Sequence, residues 1–506
     1  MAPAFLVFAA ATLLELMLWL SVFWKIRKPF TVFLCLALGL SGASMVVLHP
    51  IFATILLFFV TAYRIVNLLR IIKDRADEKY LYRKVSSTGA YLITAQGIIV
   101  LAWMLTQLYH LTSTHFWTLF SIIQLAGIIV VVASTERHLR TTRPPQETGN
   151  YTDKELPTLT VAIPARNETE DLEQCLASLI ASDYPKLEII VLDDCSQNAR
   201  TPEIIRSFAH DGVRFLAGED TREHWLAKNQ AYQQLLDAAN GDVIMFAGVD
   251  SRYQPQSLRR LVGAMLHKNK TMMSIIPKNV VLPAAEQDES ILLQPARYAW
   301  ELSLPRKMFN RPSVLSTCWL VDKKMLQSAG GFAAVSRSIV PESYFARVSA
   351  VHDGYSFMQS NEYIGITSSK AAPDQFNTAV RTRYPQLHRR PELVFALTLC
   401  EAFGFILPFL FLAAHLFGNW RTPGTALSLL TCLLMLYFYG RIVALTYRKF
   451  LLRGFVSAPF AAIMDIIVLN YSMAKYEFDE VIWKGRNVCI PVMHVVPALP
   501  EIETRK

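Results

Sequence analysis

Three short apolar runs, each closing on a carboxylate, constrain this chain more than any other feature. Leu159-Thr-Val-Ala-Ile-Pro164 leads into Ala165-Arg-Asn-Glu168, and Leu187-Glu-Ile-Ile-Val-Leu192 leads into Asp193-Asp194. Asp242-Val-Ile-Met-Phe246 leads into Ala-Gly248-Val-Asp250. Short β-branched runs bounded by turn residues read as parallel strands covered on both faces. The stretches between them, about 170–182, 202–209 and 228–239, have helical spacing and length; Leu172, Leu176 and Leu179-Ile180 mark the core face of the first. Alternation of this kind builds an open α/β sheet, whose ligand site lies beyond the carboxyl ends of its strands. Glu168, Asp193, Asp194 and Asp250 are therefore expected along one edge.

The flanks are membrane-like. Of the 506 residues, 52% are hydrophobic, too many for an ordinary soluble protein. Apolar spans are expected at about 3–24, 30–48, 51–71, 91–110 and 116–134, then at 393–417 and 424–447. A further apolar stretch, 455–474, contains Asp465 and Asn470, which suit a re-entrant or protein-buried segment. The opening span lacks a basic start and an Ala-x-Ala exit, so it is expected to be retained. Arg64 sits where its stem can snorkel to the interface. The formal net charge of +9 lies mostly in short loops beside the spans, with no aromatic-interleaved basic patch, which argues for membrane topology and against nucleic-acid binding. Basic loops follow the first, third and fifth spans, so the α/β domain is expected in the cytoplasm of a multi-pass protein, with the plasma membrane as its location. Seven cysteines without a CxxC pair indicate neither a zinc site nor a disulfide framework, and Cys195 reads as small buried filler. Tyr298, Trp300, Arg306 and Lys307 suit either an interfacial helix or an ordinary surface one.

Several segments taken together resemble the family 2 glycosyltransferases. They are Val161-Ala-Ile-Pro-Ala-Arg-Asn-Glu168, Val191-Leu-Asp-Asp-Cys-Ser196, His224-Trp-Leu-Ala-Lys228, Phe246-Ala-Gly-Val-Asp250, Ala329-Gly-Gly-Phe332, Pro341-Glu342 and Arg383-Tyr384. The Trp-Leu-x-Lys segment is similar to members acting on membrane lipids of the ceramide, hopanoid and carotenoid kind, and Ile482-Trp-Lys-Gly-Arg486 resembles a segment after their last spans. The resemblance implies an α/β GT-A (Rossmann-like) domain inserted between transmembrane helical segments. The expected organisation is a transmembrane region at 1–140, a linker at 141–156, the GT-A domain at 157–390, a second membrane region at 391–475 and a tail at 476–506.

It also implies roles. Pro164, Glu168, Asp193, Asp194, Lys228 and Arg383 would bind a UDP- or GDP-linked sugar donor. Asp250 would hold Mg²⁺ or Mn²⁺, although Gly248 stands where the family places a first aspartate. Glu342 would be the general base, with Ser343 at the alternative register. The plainer alternatives are Asp193 as a helix cap, Asp250 as a turn residue, and Pro341-Glu342 as a favourable helix start. The implied activity is transfer of a sugar to a membrane lipid, with a membrane protein partner possible through the N-terminal spans. A processive polysaccharide synthase and an inactive nucleotide-binding scaffold are the alternatives.

Overall fold

The computed structural model describes residues 114–144, 149, 151–280, 292–303, 312–417, 424–447 and 450–489. The first four expected spans, Arg64, the basic loop after the third span, Arg306 and Lys307 lie outside these. The chain divides into a sheet unit (142–284, 312–370 and 479–506) and a helical unit (1–141, 285–311 and 371–478).

The sheet unit is the α/β domain that the sequence implies. Its strands are β1 (Leu159–Ala165), β2 (Leu187–Asp193), β3 (Val213–Ala217), β4 (Val243–Ala247), β5 (Ser251–Tyr253), β6 (Met272–Ile276), β7 (Lys278–Asn279), β8 (Cys318–Asp322), β9 (Tyr355–Gln359) and β10 (Ile366–Ser368). A seven-stranded sheet runs β3-β2-β1-β4-β8-β6-β9, and a small sheet runs β5-β10-β7. β1, β2, β3 and β4 are parallel, whereas β8 runs antiparallel to both β4 and β6. The order 3-2-1-4 reverses direction at β1 and β4, which opens a crevice at their carboxyl ends. Every residue of β4 is buried, because helices cover both faces. On one face Tyr232, Phe246, Trp319, Phe332 and Phe345 form an aromatic core, with Phe246 stacked on Trp319 at 4.4 Å between ring centroids. Phe345 comes from the helix Pro341–Val351, so this core fixes the helix that carries Glu342.

Among the described residues, the helical unit contains four helices long and apolar enough to cross a membrane: Thr118–Thr141, Leu393–Phe417, Gly424–Thr446 and Leu451–Glu477. Large apolar side chains face outward on them: Phe417 is 92% exposed and Leu452 82%. The last helix runs unbroken through the stretch in which Asp465 and Asn470 suggested re-entrance. Both polar side chains are satisfied by neighbours, which is the other way to keep a polar group at membrane depth. Asp465 accepts from Arg383 Nη2 at 2.6 Å and from the Trp300 indole N–H, and Asn470 donates to Thr398 Oγ1 at 2.9 Å. The helix Leu293–Ser303, read from sequence as interfacial or superficial, is instead internal: Tyr298 and Trp300 are buried. Arg383 stacks over Trp300 at 4.1 Å, and that contact draws the indole inward.

Candidate functional site

The register of the parallel strands brings three loops to one edge. Ala165 lies opposite Asp193, and Ala162 opposite Phe246, so the segments after β1, β2 and β4 leave the sheet side by side. Pairing of β1 with β4 ends at Ala162, and Pro164 stands two residues beyond it, where a missing N–H costs no ladder bond on that side.

Each loop holds a carboxylate that is already paired within the sheet unit. Glu168 meets the Lys484 ammonium, Asp194 Oδ2 accepts from Arg486 Nη1 at 2.6 Å, and Asp250 Oδ2 lies 3.7 Å from Lys370 Nζ. Burial pushes the carboxyl groups of Glu168 and Asp194 above the usual carboxylate range, opposed by Lys484 at the first and by Arg486 and Arg166 at the second. Asp193 turns back on its own loop, where Oδ1 accepts the Ser196 N–H at 3.2 Å. Cys195 is half-buried at φ 50°, its thiol directed to the carbonyls of Gly218 and Glu219.

Lys484 and Arg486 belong to a tail hairpin, β11 (Ile482–Trp483) and β12 (Arg486–Asn487). Its two-residue turn, Lys484-Gly485, has φ of 46° and 78°, the left-handed backbone of a type I′ hairpin. Arg166 completes the weave: its guanidinium donates to the carbonyls of Asp194 (2.6 Å), Cys195 (2.7 Å) and Lys484 (3.0 Å).

Among the described residues, the loop after β4 offers one carboxylate, Asp250. A Cβ on Gly248 would meet Asp250 Oδ1 at 2.6 Å, so the aspartate folds over the position where the family has its first acid. No group of three or more His, Cys, Asp or Glu side chains that could hold a metal ion occurs among the described residues. A hard cation held by one carboxylate together with a donor's own phosphates fits such a set.

Lys228 lies in the first turn of the helix Ala227–Ala238, its ammonium 5.1 Å from the Tyr232 ring centroid. Its neighbour Asn229 is fully buried and donates to the carbonyls of Val335, Ser336 and Ser338. Those bonds tie the start of the Lys228 helix to the loop leading into Glu342. Glu342 stands in the first turn of Pro341–Val351 and is 3% exposed, and its Oε2 has no hydrogen-bond partner in the structure. A buried acceptor with no partner is costly, so this oxygen is poised for a donor.

Arg383 is placed in the helical unit, where its guanidinium pairs with Asp465 and only 2% of the side chain is exposed. The sequence reading did not assign roles to Arg166, Asn229, Lys370, Lys484 or Arg486. The tail pair stood in a segment whose resemblance was visible; nothing local marks Lys370.

The family model for Glycosyl transferase family 2 matches residues 160–330. Glycosyltransferase AglE of Haloferax volcanii is 32% identical over 114 residues, 22% of this chain and 36% of that protein. The Bacillus subtilis protein named probable glycosyltransferase YdaM is 27% identical over 186 residues, 35% of this chain and 44% of that protein. The matches thus span less than half the length of these relatives. Among solved structures, mannosyltransferase PcManGT from Pyrobaculum calidifontis, in complex with GDP-Man and Mn²⁺, aligns with 69% of this chain and 99% of its own. At a TM-score of 0.41 and 16% identity, that likeness is too distant to carry an inference about activity. Strand-end carboxylates on a 3-2-1-4 sheet and the matched residues 160–330 together make this a chain with a family 2 glycosyltransferase domain.

Proposed function

We propose that the protein transfers one sugar from a UDP- or GDP-linked donor to the hydroxyl of a membrane lipid. The observation that carries this reading is the gathering of Glu168, Asp194 and Asp250 at the carboxyl edge of β1, β2 and β4, in a chain whose other unit contains helices of membrane-spanning length. Glu168 and Asp194 accept hydrogen bonds from the nucleoside. Lys228, at a helix start where a cation is locally unfavourable, faces the diphosphate. Asp250, with the donor's phosphates, would hold Mg²⁺ or Mn²⁺, and the ion would supply positive charge beside the leaving diphosphate. Glu342 takes the proton of the acceptor hydroxyl. The freed oxygen forms the new bond at the anomeric carbon as the bond to the diphosphate breaks on the opposite face, and the configuration inverts. The α/β domain faces the cytoplasm, where nucleotide sugars are made, and the protein resides in the plasma membrane.

Glu342→Gln keeps the shape of the side chain and removes its basicity. Transfer of radiolabelled sugar by the purified full chain in lipid nanodiscs is expected to fall by roughly two to four orders of magnitude, with nucleotide affinity held within about twofold. Transfer near the wild-type rate would rule out Glu342 as the base. Absence of transfer by both proteins, with nucleotide still bound, would favour a scaffold, and products longer than one sugar would favour a synthase.

A further inference from the structure

We propose that the tail hairpin is a working part of the donor site: Lys484 and Arg486 are positioning residues that hold Glu168 and Asp194 in place as hydrogen-bond acceptors for the nucleoside. This rests on the donor-site reading of those two carboxylates. Three segments far apart in the chain interlock here. Lys484 bonds the Glu168 carboxylate and donates to the Arg166 carbonyl at 2.9 Å, while Arg166 Nε donates back to the Lys484 carbonyl at 3.0 Å. Arg486 bonds Asp194 Oδ2 at 2.6 Å and reaches the Asp194 carbonyl at 3.4 Å.

Four features separate this arrangement from a passive clasp. Glu168 and Asp194 are themselves largely buried, with 15% and 8% of their side chains exposed, so the cations compensate charges that solvent reaches poorly. Lys484 adopts a left-handed backbone that L side chains rarely take, at the turn position where Asn or Gly is the usual residue; strain held at a site by several bonds marks positions selected for what the side chain does. Arg486 engages Oδ2 and leaves Oδ1 to accept from an N–H, and both uracil and guanine offer one. The two cations also bring positive charge beside the edge that a dianionic diphosphate must approach.

The groups facing Asp194 are Arg486 from the hairpin, Arg166 from the end of β1, and Asp193 and Cys195 from its own loop. Burial raises its pKa and Arg486 opposes the rise. The ionised carboxylate accepts an N–H far more strongly than the neutral acid does, so nucleotide binding weakens as pH falls through that pKa. Removing Arg486 raises the pKa further and moves this acid limb to higher pH.

The test is calorimetric binding of UDP and of GDP, with Mg²⁺, to the full chain in nanodiscs from pH 5 to 8.5. At pH 7, Arg486→Gln is expected to weaken whichever nucleotide binds by about tenfold or more, the worth of a hydrogen bond to a charged group. Its acid limb moves upward, and Arg486→Lys restores most of both. An unchanged affinity and acid limb in Arg486→Gln overturns the proposal. So does an equal loss at every pH that Arg486→Lys does not rescue, which is the signature of packing alone. Should Arg486→Gln fail to fold, hydrogen–deuterium exchange on the unmodified protein decides: amides of 481–489 change protection when nucleotide binds, and unchanged exchange overturns the proposal. Wild-type protein that binds neither UDP nor GDP removes the donor-site reading itself, and the hairpin's role with it.

Discussion

In the sheet unit Val161, Phe246 and Trp319 are wholly buried and the charges stand at strand ends; in the helical unit Leu452 and Phe417 face outward while Arg383 and Asp465 are buried. Each arrangement matches a different solvent. Water rewards burial of apolar strands and tolerates charges at loop tips, whereas hydrocarbon rewards apolar surface and leaves polar groups only each other. The same chemistry, a carboxylate beside a cation, therefore has different worth in the two units. Arg383 with Asp465 is a pair whose members cannot turn to water if separated. Arg259 with Asp153 is a pair 31% and 67% exposed that can.

Breaking those pairs sharpens the contrast. Asp465→Ala strands the Arg383 guanidinium, which already has Nε and Nη1 without partners. The loss expected is about 3–5 kcal/mol, read as a lower unfolding midpoint in detergent and a lower yield, and Asp465→Leu with Arg383→Met should recover much of it. A loss no larger than that of a surface pair would show that water reaches this position. Asn229→Ala, within the sheet unit, removes three donations to the carbonyls of Val335, Ser336 and Ser338. About 1–3 kcal/mol should go, together with part of kcat, because the loop ahead of Glu342 loses its anchor. Normal kcat in a destabilised Asn229→Ala protein would confine that residue to folding. Asp153→Asn at the exposed pair should cost no more than ~1 kcal/mol, and less as salt is raised. A larger, salt-independent loss there would erase the distinction between the units.

The strands β1, β2 and β4 and the helices near 170–182, 202–209 and 228–239 were legible because they arise from local pattern: an apolar run, a turn, a helical stripe. β3 was not, since Val213-Arg-Phe-Leu-Ala217 is an edge strand with one buried residue and no clear period. β8 escaped notice because an antiparallel strand entering between β4 and β6 is a matter of topology. The continuous helix Leu451–Glu477 escaped because Asp465 argues for re-entrance until its partners are known.

By itself, the amino-acid sequence determined which carboxylates reach the sheet edge. A strand's end and the residues just after it travel together, so Glu168, Asp194 and Asp250 could be placed before any fold was seen. Only the tertiary structure decided which cation meets each of them. Lys484 lies 316 residues from Glu168, Arg486 lies 292 from Asp194, and Arg383 pairs with Asp465, 82 residues away in another helix. Ion pairing depends on distances of a few ångströms in space, and separation along the chain carries almost no information about them.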